Sequence, residues 1–194
     1  YIGGEALRVG GVGLLGAVDI ITGEPRPSWQ PHISGSVASV DALAVSSNAV
    51  YVGGRFSEVA FQSRANLAAL DAATGVPFTW NPNPNAPVTT LTLSSNVLYV
   101  GGRFTNMGGQ TRNGLAAVNV ATGNIAPWDP SGTNSATIRA LVSSSNTAYV
   151  AGTFQNIGGQ SRTNLAAIDA TTGEASTWSP FVTNQINALV VSGE

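Results

Sequence analysis

Four times along its 194 residues the chain repeats a Tyr, an aliphatic residue and a small pair ending in Gly. The copies are Tyr1-Ile2-Gly3-Gly4, Tyr51-Val52-Gly53-Gly54, Tyr99-Val100-Gly101-Gly102 and Tyr149-Val150-Ala151-Gly152, spaced by 50, 48 and 50 residues. A Trp-x-Pro mark keeps the same beat at Trp29, Trp80, Trp128 and Trp178, and these two marks hold all four Tyr and all four Trp of the protein. Self-similarity at such a period belongs to repeat architectures, in which one supersecondary unit buries its faces only against its neighbours.

The third repeat shows what the unit is. Val88 to Leu93 alternates and is rich in β-branched residues, which predicts a strand, and Ser94-Ser95-Asn96 is a turn cluster. Val97 to Val100 is a second strand, and Gly101-Gly102 marks a bulge or a close backbone approach. A polar loop from Thr105 to Asn113 leads to a third strand, Leu115 to Asn119, turned by Ala121-Thr122-Gly123. Ile125 to Trp128 is expected as a short outer strand, stopped by Asp129-Pro130. Four short antiparallel strands in about fifty residues describe a propeller blade. The expected fold is all-β: a β-propeller of about four repeats, 1–35, 36–84, 85–134 and 135–183, forming a single domain or propeller segment, with a trailing first strand within 184–194.

The frame is offset at the ends. Ile186 to Val191 reads as a first strand with no second strand after it, and Tyr1 to Gly4 as a second strand with no first strand before it. The trailing strand could complete the first blade, pair with a neighbouring chain, or begin the next blade of a longer array. The chain also opens without Met inside a strand pattern, as expected of a processed or excerpted piece.

Composition excludes several classes. Charged residues are 9% of the chain, net charge is −2, and the eight cations are all Arg, so no basic stripe exists to neutralise nucleic-acid phosphates. Without Cys there is neither a disulfide nor a thiolate metal site, and no apolar run approaches a membrane span. Low charge with abundant Gly, Ser, Thr, Asn and Ala suits a secreted or cell-surface protein that self-associates.

Two family resemblances follow from the repeats. Ala69-Leu70-Asp71-Ala72-Ala73-Thr74-Gly75-(x4)-Trp80 and Ala167-Ile168-Asp169-Ala170-Thr171-Thr172-Gly173-(x4)-Trp178 resemble the tryptophan-docking motif of quinoprotein-type propellers, with one extra residue before the Trp. Asp19 with Thr22 matches, and Asn119 with Thr122 is the one replacement. The resemblance implies that Trp29, Trp80, Trp128 and Trp178 pack between blades while the Asp and Thr close the turn. The whole repeat, with Tyr-Val-Gly-Gly-Arg-Phe, Gly-Gly-Gln-Ser-Arg and Trp-x-Pro, is similar to the delta-60 repeats of large secreted bacterial proteins. That resemblance implies an extracellular or surface propeller and no particular reaction.

Candidate sites are few. His32 is the only His, so a Ser-His-Asp relay would rest on it alone. Glu5, Glu58, Asp41 and Asp129 lie outside the turn column, and nothing in their spacing makes an acid–base pair. Arg64, Arg112 and Arg162 recur in the Gln-Ser/Thr-Arg loop, where a partner in the same blade is favoured over a bound anion. One first-strand column differs in every repeat: Asp41, Thr89, Arg139 and Asn187 would line the channel or its mouth, where a ligand is to be sought. The expected function is non-enzymatic: an extracellular structural or adhesive module, a subunit of a surface assembly or filament, with no cofactor and no metal. Its partners would be other chains or copies of itself, by strand exchange through 186–191 and 1–4. The alternative is a carbohydrate- or peptide-binding propeller using the channel mouth; a hydrolase or lyase is disfavoured.

Overall fold

The computed structural model describes residues 1–9, 12–130 and 136–192, and the side chains of 6–9 and 12 fall outside that description, as do the expected repeat boundary at 134 and the last residues of the trailing strand. Every regular element among the described residues is a β-strand, and the strands form four successive units. The first holds β1 (Ile2–Val9) and β2 (Val12–Gly16). The second holds β3 (Ile33–Ser34), β4 (Ser39–Val45), β5 (Ala49–Arg55), β6 (Glu58–Val59), β7 (Gln62–Ser63) and β8 (Leu67–Asp71). The third holds β9 (Val88–Ser94), β10 (Val97–Gly102), β11 (Asn106–Met107), β12 (Gln110–Thr111) and β13 (Leu115–Asn119). The fourth repeats it with β14 (Thr137–Ser144), β15 (Thr147–Thr153), β16 (Asn156–Ile157), β17 (Gln160–Ser161) and β18 (Leu165–Asp169).

Each of the last three units is an antiparallel meander with its second strand central: β4-β5-β8, β9-β10-β13 and β14-β15-β18. The outer fourth strand expected from the sequence is reduced to one bridge per unit: Val18 to Pro25, Leu70 to Pro77, Val118 to Ile125 and Ile168 to Ala175. In the first two units the bridging residue is Pro, which has no N–H to extend a ladder. The polar loop expected over 105–113 instead carries the short hairpin β11–β12.

The glycine pairs divide two tasks. The second Gly faces its own sheet: a Cβ on Gly54, Gly102 or Gly152 would strike the carbonyl of Ser39, Pro87 or Thr137, beside the first strand's bulge. The first Gly faces the next unit: a Cβ on Gly53 would lie 2.5 Å from Val88 Cγ1, and one on Gly101 2.7 Å from Ile138 Cγ2. Gly3 meets Val40 in the same way. Glycine is required here for proximity rather than for φ, because the sheets stack closer than a methyl group permits.

Packing is accordingly between units, not within them. One apolar cluster joins units one and two around Leu15, Trp29, Val40 and Val52. A second joins units two and three around Tyr51, Trp80, Val88 and Leu98. A third joins units three and four around Tyr99, Trp128, Ile138 and Val150. The first strands stand side by side in chain order, β4 against β9 and β9 against β14, while β1 takes the second-strand place against β4.

Residues 186–191, expected as a strand, form no ladder among the described residues. They lie against unit four, where Leu189, Val190 and Val191 share a cavity of about 450 Å³ with Val142, Tyr149, Leu165 and Trp178. A strand needs a hydrogen-bonding neighbour, and β1, the partner that ring closure within the chain would supply, pairs with β2 alone among the described residues.

Candidate functional site

The docking geometry is built by the turn after each third strand. Asp71 Oδ1 accepts from Ala73 N at 3.0 Å, Thr74 N at 2.7 Å and Thr74 Oγ1 at 2.8 Å, closing an Asx turn. Asp19 and Asp169 repeat the pattern, and Asn119 does so with its amide oxygen, accepting from Ala121 N and Thr122 N at 3.0 Å each. These bonds favour the ionised form, so all three Asp carboxyls titrate below the ordinary aspartate range. The largest cause is the Thr74 hydroxyl for Asp71, the Thr22 amide for Asp19 and the Thr172 amide for Asp169.

The turn presents its carbonyl to the preceding unit. Trp29 Nε1 donates to Asp71 O at 3.0 Å, Trp80 Nε1 to Asn119 O at 3.3 Å, and Trp128 Nε1 to Asp169 O at 2.9 Å. Tyr1 and Tyr99 donate their hydroxyls to the carbonyls of Ala72 and Ala170, the residues that follow. In unit three's turn the Gly also makes room: a Cβ on Gly123 would stand 2.5 Å from Trp80 Cδ1. Trp29, Trp80 and Trp128 lie between the units, and their burial removes them as sugar-stacking platforms.

Trp178 departs from the set. Its ring is 46% exposed, against 1%, 7% and 6% for Trp29, Trp80 and Trp128, and its indole N–H meets no carbonyl among the described residues. It keeps only the edge-on contact with Tyr149, at 5.7 Å between centroids. Around it the fourth unit exposes Phe181 and Val190, and at the other end of the chain the first unit exposes Tyr1, Ile2, Ile20 and Ile21.

The column proposed to line a channel is a column of bulge residues. Asp41, Thr89 and Arg139 are each the residue skipped in the pairing of a first strand with its second. A bulge re-aims a side chain, which explains why these positions escape the repeat. Thr89 Oγ1 is engaged structurally, donating to Ile138 O of the next first strand. Arg139 is half-buried and its Nε has no hydrogen-bond partner, Asp41 is exposed, and Asn187 Oδ1 accepts from Gln185 Nε2 at 2.5 Å. No hydrogen bond or ion pair among the described residues joins the four to one another.

The remaining candidates have local partners. Arg64, Arg112 and Arg162 donate to the Ser63, Thr111 and Ser161 carbonyls and across the unit to the Phe78, Ala126 and Ser176 carbonyls. Arg112, the most buried of the three, also lies 3.5 Å from Asp129. Glu58 accepts from Ser34 Oγ at 2.8 Å, and Glu5 is exposed. No group of three or more His, Asp or Glu able to hold a metal occurs among the described residues.

His32 stacks flat on Phe61, at 4.9 Å and 8°. Phe61 is a residue that sequence reasoning passed over. It tips the β6–β7 hairpin, where Ala60 and Phe61 take φ of 48° and 62°. The same turn in the next two units is Gly108-Gly109 and Gly158-Gly159. Holding non-glycine residues there costs about 1–2 kcal/mol each, against about 0.5–1.5 kcal/mol for an aromatic pair. The signal was available: Ala-Phe stands in one repeat where two others have Gly-Gly.

No family model matches this chain, and no curated protein is similar to it. Among solved structures it is similar to the computationally designed Ika4 protein, at 20% identity over 83% of this chain and 84% of that one, with a TM-score of 0.58. It is similar also to the computationally designed Ika8 protein, at 20% identity over 92% of this chain and 46% of that one, with a TM-score of 0.62. At such identity the likeness concerns the fold alone: an all-β chain of small antiparallel sheets.

Proposed function

We propose that the chain is a non-enzymatic β-propeller segment of an extracellular surface protein of the delta-60 type, and that its work is assembly. Each unit is a blade, and the fourth blade docks a further blade head to tail, supplied by a second copy of the chain. The observation that carries this is Trp178. Three tryptophans at the corresponding place in their repeats are sealed against the next blade's turn, whereas the fourth is half-exposed beside a segment with no strand pairing among the described residues. An unpaired edge of this kind is a template for another strand. The docking surface and the surface it docks are different patches, so the contact is heterologous and propagates into a closed ring or a filament. The scarcity of charge and the absence of Lys favour such association and a secreted setting.

The test uses the cysteine-free sequence. Asn187→Cys and Ile2→Cys are placed in separately tagged chains, mixed and oxidised. A disulfide between different chains, lost on Trp178→Ala, supports the reading. A strictly monomeric protein whose 186–191 amides exchange at coil rates would sink it.

The second reading is a carbohydrate or peptide at the mouth over Asp41, Thr89, Arg139 and Asn187; in its favour, these positions differ from repeat to repeat. Saturable binding of glucuronate that Arg139→Gln abolishes is its check.

A further inference from the structure

We propose that the corner formed by His32 and Phe61 is a binding site for a neutral pyranose sugar, separate from the docking edge and from the bulge column. Among the described residues, the second unit alone adds a strand, β3, that pairs with the outer hairpin, joining Ile33 to Val59 and Ser34 to Glu58. Ala60 N donates to His32 O at 2.6 Å and Ser57 N to Ser34 O at 2.9 Å, so the hairpin tip is held rigidly beside the loop that carries His32.

On this fixed tip the repeat departs from its own rule. Where Gly109 and Gly159 have open space at their Cβ positions, Phe61 projects an aromatic ring that is 80% exposed. The substitution strains the turn and buries almost nothing, so folding does not explain it; a residue kept in an unfavoured conformation at a surface marks a site. His32 covers one face of the ring and fixes its plane. Beside it opens a cavity of about 360 Å³, lined among others by Ser28, Gln30, Gln62 and Thr74, which falls in the range of small-molecule sites.

The lining selects the ligand class. Pro31, Ala60, Phe61, Val76 and Pro77 make the lining mostly apolar. Ser28, Gln30, Gln62 and Thr74 add amides and hydroxyls at its rim, and no Arg, Asp or Glu contributes, which disfavours phosphates and sugar acids. Neither Ser28 Oγ nor the Gln30 amide makes a hydrogen bond among the described residues. An uncharged ring with one apolar face to lie on Phe61 and a rim of hydroxyls to reach the amides answers both features. A proline-rich peptide, the competing occupant, needs a groove between several aromatic rings, and here a single ring projects.

The experiment is an amide-resolved NMR titration of the whole chain with chitotriose, cellotriose and maltotriose in turn, and with decaproline. The expected result is saturable shifts at Phe61, Gln62 and Thr74 with at least one trisaccharide. In Phe61→Gly the affinity falls by about tenfold or more, the loss of one stacking contact. The same variant melts higher by about 3 °C because the turn is relaxed, so lost binding is not lost folding. Silence with all three sugars, shifts that persist in Phe61→Gly, shifts confined to the bulge column or to Trp178, or binding of decaproline alone would each overturn the assignment.

Discussion

Gly101→Ala tests the spacing between units. The added Cβ would stand 2.6 Å from Thr90 Cγ2 and 2.7 Å from Ile138 Cγ2, about 1 Å inside ordinary carbon contact. Neither obstacle is a loose chain end. Thr90 is held in β9, and Ile138 is fully buried in β14; both are β-branched and stiff at χ1. Relief of the Ile138 contact requires moving unit four away from unit three, which thins the cluster around Trp128 and Val150, while Thr90, paired with Gly101 in the same sheet, must shift within unit three. Overpacking of this kind costs about 1–3 kcal/mol. In a chain of this length a loss of about 2 kcal/mol lowers Tm by about 4–8 °C.

A double-mutant cycle assigns the cause. Ile138→Ala alone truncates a fully buried side chain, at a cost of about 2–5 kcal/mol. With Ile138 truncated, the contact across the unit boundary is relieved and only the one with Thr90 remains, so the double variant should lose about 1 kcal/mol less than the sum of the singles. Urea unfolding followed by tryptophan fluorescence reads all four corners, with an unchanged m-value as the control on the denatured state. A Gly101→Ala protein as stable as the parent, or a strictly additive cycle, would refute the claim that the neighbour's proximity dictates this glycine.

The other expectations concern the turns and the Arg column. Trp128→Ala should cost about 3–5 kcal/mol, whereas Trp178→Ala should cost about 1 kcal/mol or less in the isolated chain, by the same urea assay; equal losses would mean that Trp178 is docked. The depressed carboxyls of Asp19, Asp71 and Asp169 stabilise the fold above the ordinary aspartate value, and this is lost as pH falls through their lower folded values. Asp71→Asn, which retains the acceptor as Asn119 does, should flatten the acid limb of a Tm-versus-pH curve; an unaltered limb would contradict the assignment. Arg112→Lys cannot serve the carbonyls of Thr111 and Ala126 and the Gln110 amide oxygen with one nitrogen, so a loss of about 1–2 kcal/mol is expected in thermal melts.

Much of this fold was legible because the chain carries its own comparison set. Val40, Val88 and Ile138 share a column, and each proves to be the side chain against which the preceding unit's glycine is pressed. The Asx turns and the indole bonds of Trp29, Trp80 and Trp128 follow from residue types at fixed spacing. What the pattern hid was hydrogen bonding that depends on a partner. The outer strand shrinks to a bridge in all four units; Pro25 and Pro77 lack the N–H that continues a ladder in the first two, whereas Ile125 and Ala175 have one, so Pro does not account for the column. The hairpin within 105–113 is two residues per arm, too short to show any alternation. At the candidate sites the column of Asp41, Thr89 and Arg139 was found by its failure to repeat, and the bulge supplies the reason. Phe61 failed to repeat in the same way, but its meaning lies in a backbone angle, which composition does not display.

The fourth repeat breaks the glycine rule, and this bears on what can dock there. Ala151 stands where Gly3, Gly53 and Gly101 stand, and it is fully buried. At the other three interfaces the facing residue is Val40, Val88 or Ile138, and Ile186 continues that column. A methyl already in place at 151 excludes the approach that the glycines permit, so a following strand must sit about 1 Å farther out. A cavity of about 450 Å³ lies beside this position, among Tyr149, Leu165, Trp178 and Leu189. Interfaces in a repeat array contribute nearly independently to stability, so the looser fourth interface is the one that opens first and closes last. On the proposed head-to-tail docking, the weakest contact would fall at the boundary between copies, and the three internal interfaces would form within one chain before any second chain is engaged. Ala151→Gly, by tightening that boundary, should therefore raise the mass fraction of assembled chains in sedimentation at fixed concentration while leaving the other interfaces unchanged; a fall in assembly would show that the methyl is itself part of the docked surface.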